Sequence, residues 1–356
     1  MVVITRSQGH KIVEQMALRR AVQSVIFVIH ADFLDSFLDA ALYNNNLATS
    51  VQSLHIIFHR TFPPIPKLCR CLLAIRNVVD LELQLPRASA ANWVRLLRGI
   101  RLPRLELLHT DCPPFSLAQF LNEHAAITHL NMSGRNYRGH DYYELANTRL
   151  SFLSEIEGPS SCVTSLVRDS PTSRVAAHCV NNADFALPLI CLLSSSSTST
   201  TALTVLQLDF DPTDYDLLRR IANAAPFVTT LKLVERSRSV SARMPRLRRA
   251  WNFYHQWAQD LAQLKRLHRF ALKTSLSMVQ NPGSDEDERK LLTQWRLDHY
   301  STHDWIYAWD QPSVLRHLTL WYLAESKAGI LSSWDMVDGC WLKTRGYLDP
   351  PADAFC

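Results

Sequence analysis

The sequence predicts an α/β solenoid, a horseshoe of short parallel strands alternating with helices. Three observations carry that reading. A six-residue phrase (apolar, two residues, apolar, one residue, apolar) recurs along the chain. Successive copies stand about 25 residues apart, the length of one strand–turn–helix unit. The segments between copies place apolar residues at helical spacing.

The first copy is Val51-Gln52-Ser53-Leu54-His55-Ile56, followed by Val78-Val79-Asp80-Leu81-Glu82-Leu83. Then come Leu102-Pro103-Arg104-Leu105-Glu106-Leu107 and Ile127-Thr128-His129-Leu130-Asn131-Met132. The phrase resumes at Leu203-Thr204-Val205-Leu206-Gln207-Leu208 and Val228-Thr229-Thr230-Leu231-Lys232-Leu233. Two late copies centre on Phe270 and Leu318. The central residue sets steps of 27 (Leu54 to Leu81), 24 (to Leu105), 25 (to Leu130) and again 25 (Leu206 to Leu231). Later steps of 39 and 48 residues imply insertions. Between Leu130 and Leu206 the phrase is faint, with Leu150–Leu153 and Val163–Leu166 as its nearest matches.

Alternation sends Leu81 and Leu83 to one face of a strand and Glu82 to the other. A lone strand cannot bury its apolar side, but stacked copies share one core. Helices are expected to supply the second layer. Ser89–Gly99 carries Trp93, Leu96 and Leu97, with Gly99 at its end. Ser116–His124 follows an N-capping serine, and Thr213–Ala224 offers Leu217, Leu218 and Ile221. Pro245–Arg266 aligns Leu247, Trp251, Tyr254, Ala258 and Leu261 on one helical face. Strand, turn, helix, turn is the leucine-rich-repeat unit.

The Val-Val-Asp-Leu-Glu-Leu, Leu-Pro-Arg-Leu-Glu-Leu and Ile-Thr-His-Leu-Asn-Met phrases resemble the irregular leucine-rich-repeat region of fungal F-box-like proteins, over roughly residues 40–323. The resemblance implies a substrate-recognition subunit of a cullin-based ubiquitin ligase, with a cullin-adaptor protein as partner. Residues 1–45 contain no Leu-Pro-x-Glu opening and no Cys-Arg-x-Trp close, so the F-box itself is not visible. The turn position after each strand holds His59, Pro86, Thr110, Arg135, Asp211, Arg236, Ser275 or Leu323, so no asparagine ladder is expected.

The expected organisation is an N-terminal helical cap over 1–45 (with one amphipathic helix at Ala31–Tyr43), a solenoid over 46–323, and a C-terminal cap or tail over 324–356. Six of nine tryptophans fall late, at Trp295, Trp305, Trp309, Trp321, Trp334 and Trp341. They serve either to close the last repeat or as an aromatic binding surface.

Composition narrows the function classes. The net charge of +5 is mild, although residues 232–273 carry 11 basic against 2 acidic residues and 274–356 carry 7 against 12. The two stretches read as complementary. Alternatively Arg243, Arg246, Arg248 and Arg249, interleaved with Trp251, Tyr254 and Trp257, read as a nucleic-acid face. Eight scattered cysteines in a chain of 356 residues read as thiols of a reducing compartment. No signal h-region opens the sequence and Val25–Ile29 is far short of a membrane span. An intracellular protein, cytoplasmic or nuclear, is expected.

Catalytic and metal motifs fare poorly. Cys69-x-Cys71 has no second pair, and His299-x3-His303 lacks the glutamate of zinc hydrolases. Gly134-x4-Gly139 is followed by His140-Asp141 and is no phosphate loop. Ser194–Thr201 and Ser284–Glu288 read as exposed polar loops. The expectation is a non-catalytic scaffold with no cofactor and no metal, binding a protein partner rather than nucleic acid or membrane; the alternatives are the ubiquitin-ligase subunit and, ranked below it, an enzyme with an unrecognised site. Its concave strand face is expected to present His55, Glu82, Gln84, Glu106, Asn131, Gln207, Asp209, Lys232, Lys273, Thr319 and Trp321.

Overall fold

A computed structural model describes residues 26–29, 43, 45–58, 64–133, 143–168, 170–179, 189–190, 203–236, 245–295, 315–323, 329–338 and 340–348. The chain forms two compact units, Met1–Thr172 and Ser173–Cys356.

In the first unit strands and helices alternate. The order is β1 (Ile26–Ile29), α1 (Asn45–Ser50), β2 (Ser53–Ile57), α2 (Ile65–Ala74), β3 (Asp80–Gln84) and α3 (Ala90–Leu97). It continues with β4 (Leu107–Thr110), α4 (Pro114–Glu123), β5 (His129–Met132), a 3-10 helix at Tyr143–Asn147, β6 (Glu155–Pro159) and α5 (Ser160–Val167). Each strand pairs in parallel with the next, from β1 to β6. Parallel neighbours need a crossover, and the helices provide it.

The register stacks Leu54, Leu81, Leu108, Leu130 and Ile156 in one row, all buried. Helices face that row through Leu68, Cys71 and Leu72 of α2 and through Trp93, Leu96 and Leu97 of α3. The helix expected at Ser89–Gly99 forms there. The Ser89 side chain accepts the Asn92 amide, and Gly99 turns out with φ +77°. Helix α4 starts earlier than expected, at Pro114, because Pro113-Pro114 presets φ and needs no amide donor. Ser116 is not its cap; its hydroxyl donates to the Ala90 carbonyl on α3. The helix expected at Ala31–Tyr43 lies outside the described residues except for Tyr43, and within the expected helical cap over 1–45 residues 26–29 form strand β1.

Two details of register differ from the sequence reading. Leu108, not Leu105, lies opposite Leu81, so the third copy is Leu105-Glu106-Leu107-Leu108-His109-Thr110. Leu105 and Leu108 are both buried, which made the two frames indistinguishable by hydropathy. The central steps become 27 and 22 instead of 24 and 25. The faint copy at Leu150–Leu153 is really Leu153-Ser154-Glu155-Ile156-Glu157-Gly158, and Val163–Leu166 belongs to α5.

The second unit runs β7 (Arg174–His178), β8 (Val205–Phe210), α6 (Leu217–Ala224), β9 (Thr230–Glu235), α7 (Tyr254–Gln263) and β10 (Arg269–Lys273). It ends with α8 (Asp285–Gln294), β11 (His317–Leu323), β12 (Gly329–Val337) and β13 (Cys340–Leu348). Strands β7 to β11 are parallel; β12 and β13 are antiparallel additions. The long helix expected over Pro245–Arg266 is shorter. Two 3-10 turns occupy Arg246–Asn252, and Leu247 is 76 % exposed rather than buried. Ser284–Glu288 is not a loop. Ser284 caps α8, four acidic residues fill its first turn where the helix dipole favours them, and Glu288 is fully buried.

One backbone device repeats in both units. The carbonyl just before a strand accepts two successive amides at the start of the next strand: Gln52 from Val79 and Asp80, Val79 from Glu106 and Leu107, Glu106 from Thr128 and His129. In the second unit Ser173, Thr204, Thr229 and His268 play this part. Hydroxyls of Thr128, Ser154, Thr204 and Thr229 add a third bond to several of these carbonyls. This device ties successive strand starts together where an asparagine ladder is lacking.

Candidate functional site

Strand alternation aims a second set of side chains away from the leucine row. In the first unit the outward rows are Ser53, Asp80, Leu107, His129, Glu155 and His55, Glu82, His109, Asn131, Glu157. Cross-strand neighbours at this spacing interact directly. His55 Nδ1 lies 2.8 Å from Glu82 Oε2, and its Nε2 lies 3.2 Å from Asp80 Oδ2 and 3.1 Å from Ser53 Oγ. Ser53 also donates to Asp80 Oδ2 at 2.9 Å. Glu82 extends the network, accepting Gln84 Nε2 at 2.6 Å and meeting His109 Nδ1 at 3.3 Å. Further along, His129 meets Glu155 at 3.3 Å and Asn131 donates to Glu157 at 3.0 Å.

The hydrogen bond with Asp80, then that with Glu82, raises His55 from 6.5 to about 9. Burial pushes Asp80 up, but the bonds from His55 and Ser53 outweigh it and hold the carboxyl below its ordinary range. The His55 bond does the same for Glu82. Ser53, His55 and Glu82 have the distances of a serine–histidine–acid triad. The chemistry does not follow, because Asp80 occupies Nε2 as well. At neutral pH His55 is an imidazolium clamped between two carboxylates and has no lone pair with which to activate Ser53.

The second unit's outward positions are of another kind. Ala176, Gln207, Lys232, Ala271, Thr319 and Ser333 form one row. Asp209, Val234, Lys273, Trp321 and Leu331 form the next. Trp321 and Ala271 pack on buried Val234 and Leu331, and Lys273 Nζ stands 4.1 Å above the Trp321 ring, a cation–π contact. Thr319 meets His317 Nε2 at 3.0 Å.

Of the expected face residues, His55, Glu82, Gln84 and Asn131 lie in the first unit's network, and Gln207, Lys232, Lys273, Thr319 and Trp321 lie half-buried on the second unit's strands. Two differ. Glu106 precedes β4, and His109 takes the row position between Glu82 and Asn131. Asp209 is only 2 % exposed. It accepts the Cys179 amide at 2.9 Å and pairs with Arg236 Nε at 3.1 Å. Burial alone would raise Asp209, but His178 and Arg236 hold it low.

Sequence reasoning missed the buried carboxylates, of which Glu235 and Glu288 have the fullest sets of donors. Glu235 ends β9 and receives Arg249 Nη1, the Ser275 hydroxyl and Trp251 Nε1, the last at 2.5 Å. Glu288 on α8 receives Tyr322 OH at 2.5 Å, Ser332 Oγ at 2.8 Å and Trp334 Nε1 at 2.9 Å, with Lys343 Nζ at 3.3 Å. A buried charge requires such partners, and here they hold the unit together. Arg249, Trp251 and Trp257, read alternatively as part of a nucleic-acid face, are therefore interior. Trp295, Trp334 and Trp341 are buried too, whereas Trp305 and Trp309 lie outside the described residues. The charged stretches pair internally: Arg249 with Glu235 in the basic one, Lys343 with Asp285 and Glu288 in the acidic one.

Among the described residues no group of three metal-ligating side chains gathers, and no helix is long and apolar enough to cross a membrane. Cys71 is buried, and that burial raises its thiol to about 12. His299, His303, Gly134–Gly139 and Ser194–Thr201 lie outside the described residues. No protein-family model and no curated protein matches the chain.

Proposed function

We propose that the chain is a leucine-rich-repeat-like solenoid acting as a non-catalytic scaffold that recognises a protein partner through its outward strand rows. One observation supports this most. The rows pointing away from the leucines carry half-buried polar, charged and aromatic side chains in cross-strand register, a graded surface of the composition that protein interfaces use. The second unit offers an aromatic anchor, Trp321, beside Lys273, with Lys232 on β9 in the neighbouring row. Tryptophan is among the residues that most often dominate interface energetics.

The test compares two tagged full-length chains purified from native cells, the parent and a Gln207→Ala/Lys232→Ala/Lys273→Ala/Thr319→Ala variant. Proteins recovered with the parent should be lost from the variant, while the urea midpoints agree. Partners retained by a folded variant would sink the reading.

A further inference from the structure

The helical side of the first unit differs in chemistry from its strand face. Residues 64–104 contain eight basic and two acidic residues, a net of +6. The two acids are Asp80 and Glu82, both committed to His55 on the strand face. Positive charge is thereby left to the helices and their flanking turns. Helix α3 points Trp93, Leu96 and Leu97 inward, so its periodicity turns Val94, Arg95 and Arg98 outward. Helices α2, α3 and α4 are tied side by side. Cys69 Sγ lies 3.6 Å from the Arg95 carbonyl, and Ser116 Oγ lies 3.2 Å from that of Ala90.

Between α3 and α4 runs an open groove of about 500 Å³, lined by Ala90, Ala91, Val94, Arg95, Arg98 and Phe115. Its lining combines the small side chains of Ala90 and Ala91, the apolar Val94 and Phe115, and the cations Arg95 and Arg98. Phe115 is 52 % exposed and Val94 39 %, with Leu73 of α2 also at 52 %. Helices α3 and α4 thus each leave one large apolar side chain in water at the groove, with Arg95 and Arg98, for which no ion pair occurs among the described residues. Exposed apolar surface concentrated this way marks an interaction site.

We propose that this groove is a second docking site, taking an acidic peptide segment that inserts one or two large apolar side chains between Val94 and Phe115. The charge selects the occupant: carboxylates pair with Arg95 and Arg98 through bidentate hydrogen bonds. The first turn of α3, at Ala90 and Ala91, adds its partial positive charge. A concave slot suits inserted side chains better than the flat surface of a bilayer does. The site is separate from the strand rows, so either can fail alone.

The test is selection from a random 12-residue peptide library on the immobilised full chain, with recovered peptides measured by fluorescence anisotropy. Recovered sequences should combine Asp or Glu with Leu, Phe or Trp. Their affinity should fall at least 10-fold on Arg95→Glu/Arg98→Glu and on Val94→Asp, and stay unchanged on Gln207→Ala/Lys232→Ala. Each variant is checked by circular dichroism. All three changed residues on α3 are exposed, which leaves the fold to its buried face. No enrichment, enrichment without acidic residues, or indifference to the arginine variant overturns the proposal. So does binding to phosphatidylserine vesicles that is lost on the same variant in the absence of any peptide hit.

Discussion

His55 Nδ1 lies 2.8 Å from Glu82 Oε2 across neighbouring strands, while Asp80 Oδ2 stands 3.2 Å from its Nε2. With Asp80 on the other ring nitrogen, the imidazole is held as a cation, its pKa at about 9. The folded value lies above the ordinary 6.5, so the stabilisation is complete below about pH 6.5 and is lost as pH rises toward 9. The carboxyls of Asp80 and Glu82 are held low, so their share is lost as pH falls through the acid range. Urea unfolding between pH 5 and pH 9 should show about 1–2 kcal/mol less stability at the alkaline end, allowing for solvent screening. His55→Gln should flatten that alkaline slope. An unchanged slope would mean that His55 does not carry it.

Arg249 and Glu235 are both sealed from solvent. Removing one partner strands the other, so Arg249→Met should cost about 3–5 kcal/mol in urea unfolding. Arg249→Met/Glu235→Gln should recover part of that loss, because Trp251 Nε1 can still donate to the amide oxygen while the Ser275 hydroxyl turns to accept from the amide nitrogen. A double variant as unstable as the single one would contradict the pairing.

Gly158 on β6 faces Met132 on β5. A Cβ there would stand 2.9 Å from Met132 Cε and 3.0 Å from its Cβ. Gly158→Ala should therefore destabilise by about 1–3 kcal/mol through overpacking. Adding Met132→Ala should remove the Cε contact and leave the Cβ one, relieving the clash in part, and a double-mutant cycle should give a coupling above about 0.5 kcal/mol. Strict additivity would place the two side chains apart.

Leu206 and Gln207 are neighbours in β8 with opposite destinations. Leu206→Ala should cost about 2–5 kcal/mol, whereas Gln207→Ala should stay within about 0.5 kcal/mol. Comparable losses at both positions would mean that the strand is in the other register.

The alternation that separates Leu206 from Gln207 was legible in the sequence wherever a copy had three large apolar residues, as at Leu54, Leu81, Leu130 and Leu231. It failed where the composition blurred it. Leu105 and Leu108 are both apolar, and only the hydrogen-bonded register chooses between them. In β6 and β7 the third apolar place is filled by Gly158 and Ala177, too small to register as hydrophobic signals. Most of the outward residues followed from the same alternation. Asp209 did not, because burial of a charge depends on partners brought in from Arg236 and Cys179. Glu235 and Glu288 were illegible for that reason too, their donors being scattered along the chain.

That scatter makes Glu288 depend on parts of the chain synthesised after it. The donors to Glu288 lie 34, 44 and 46 residues downstream, at Tyr322, Ser332 and Trp334. A nascent chain that has just released α8 from the ribosome holds a carboxylate with nowhere to go but water. The carboxylate has its full set of donors only with β11 and β12 in place, so the last strands act as the latch of the second unit rather than as an appendage to it.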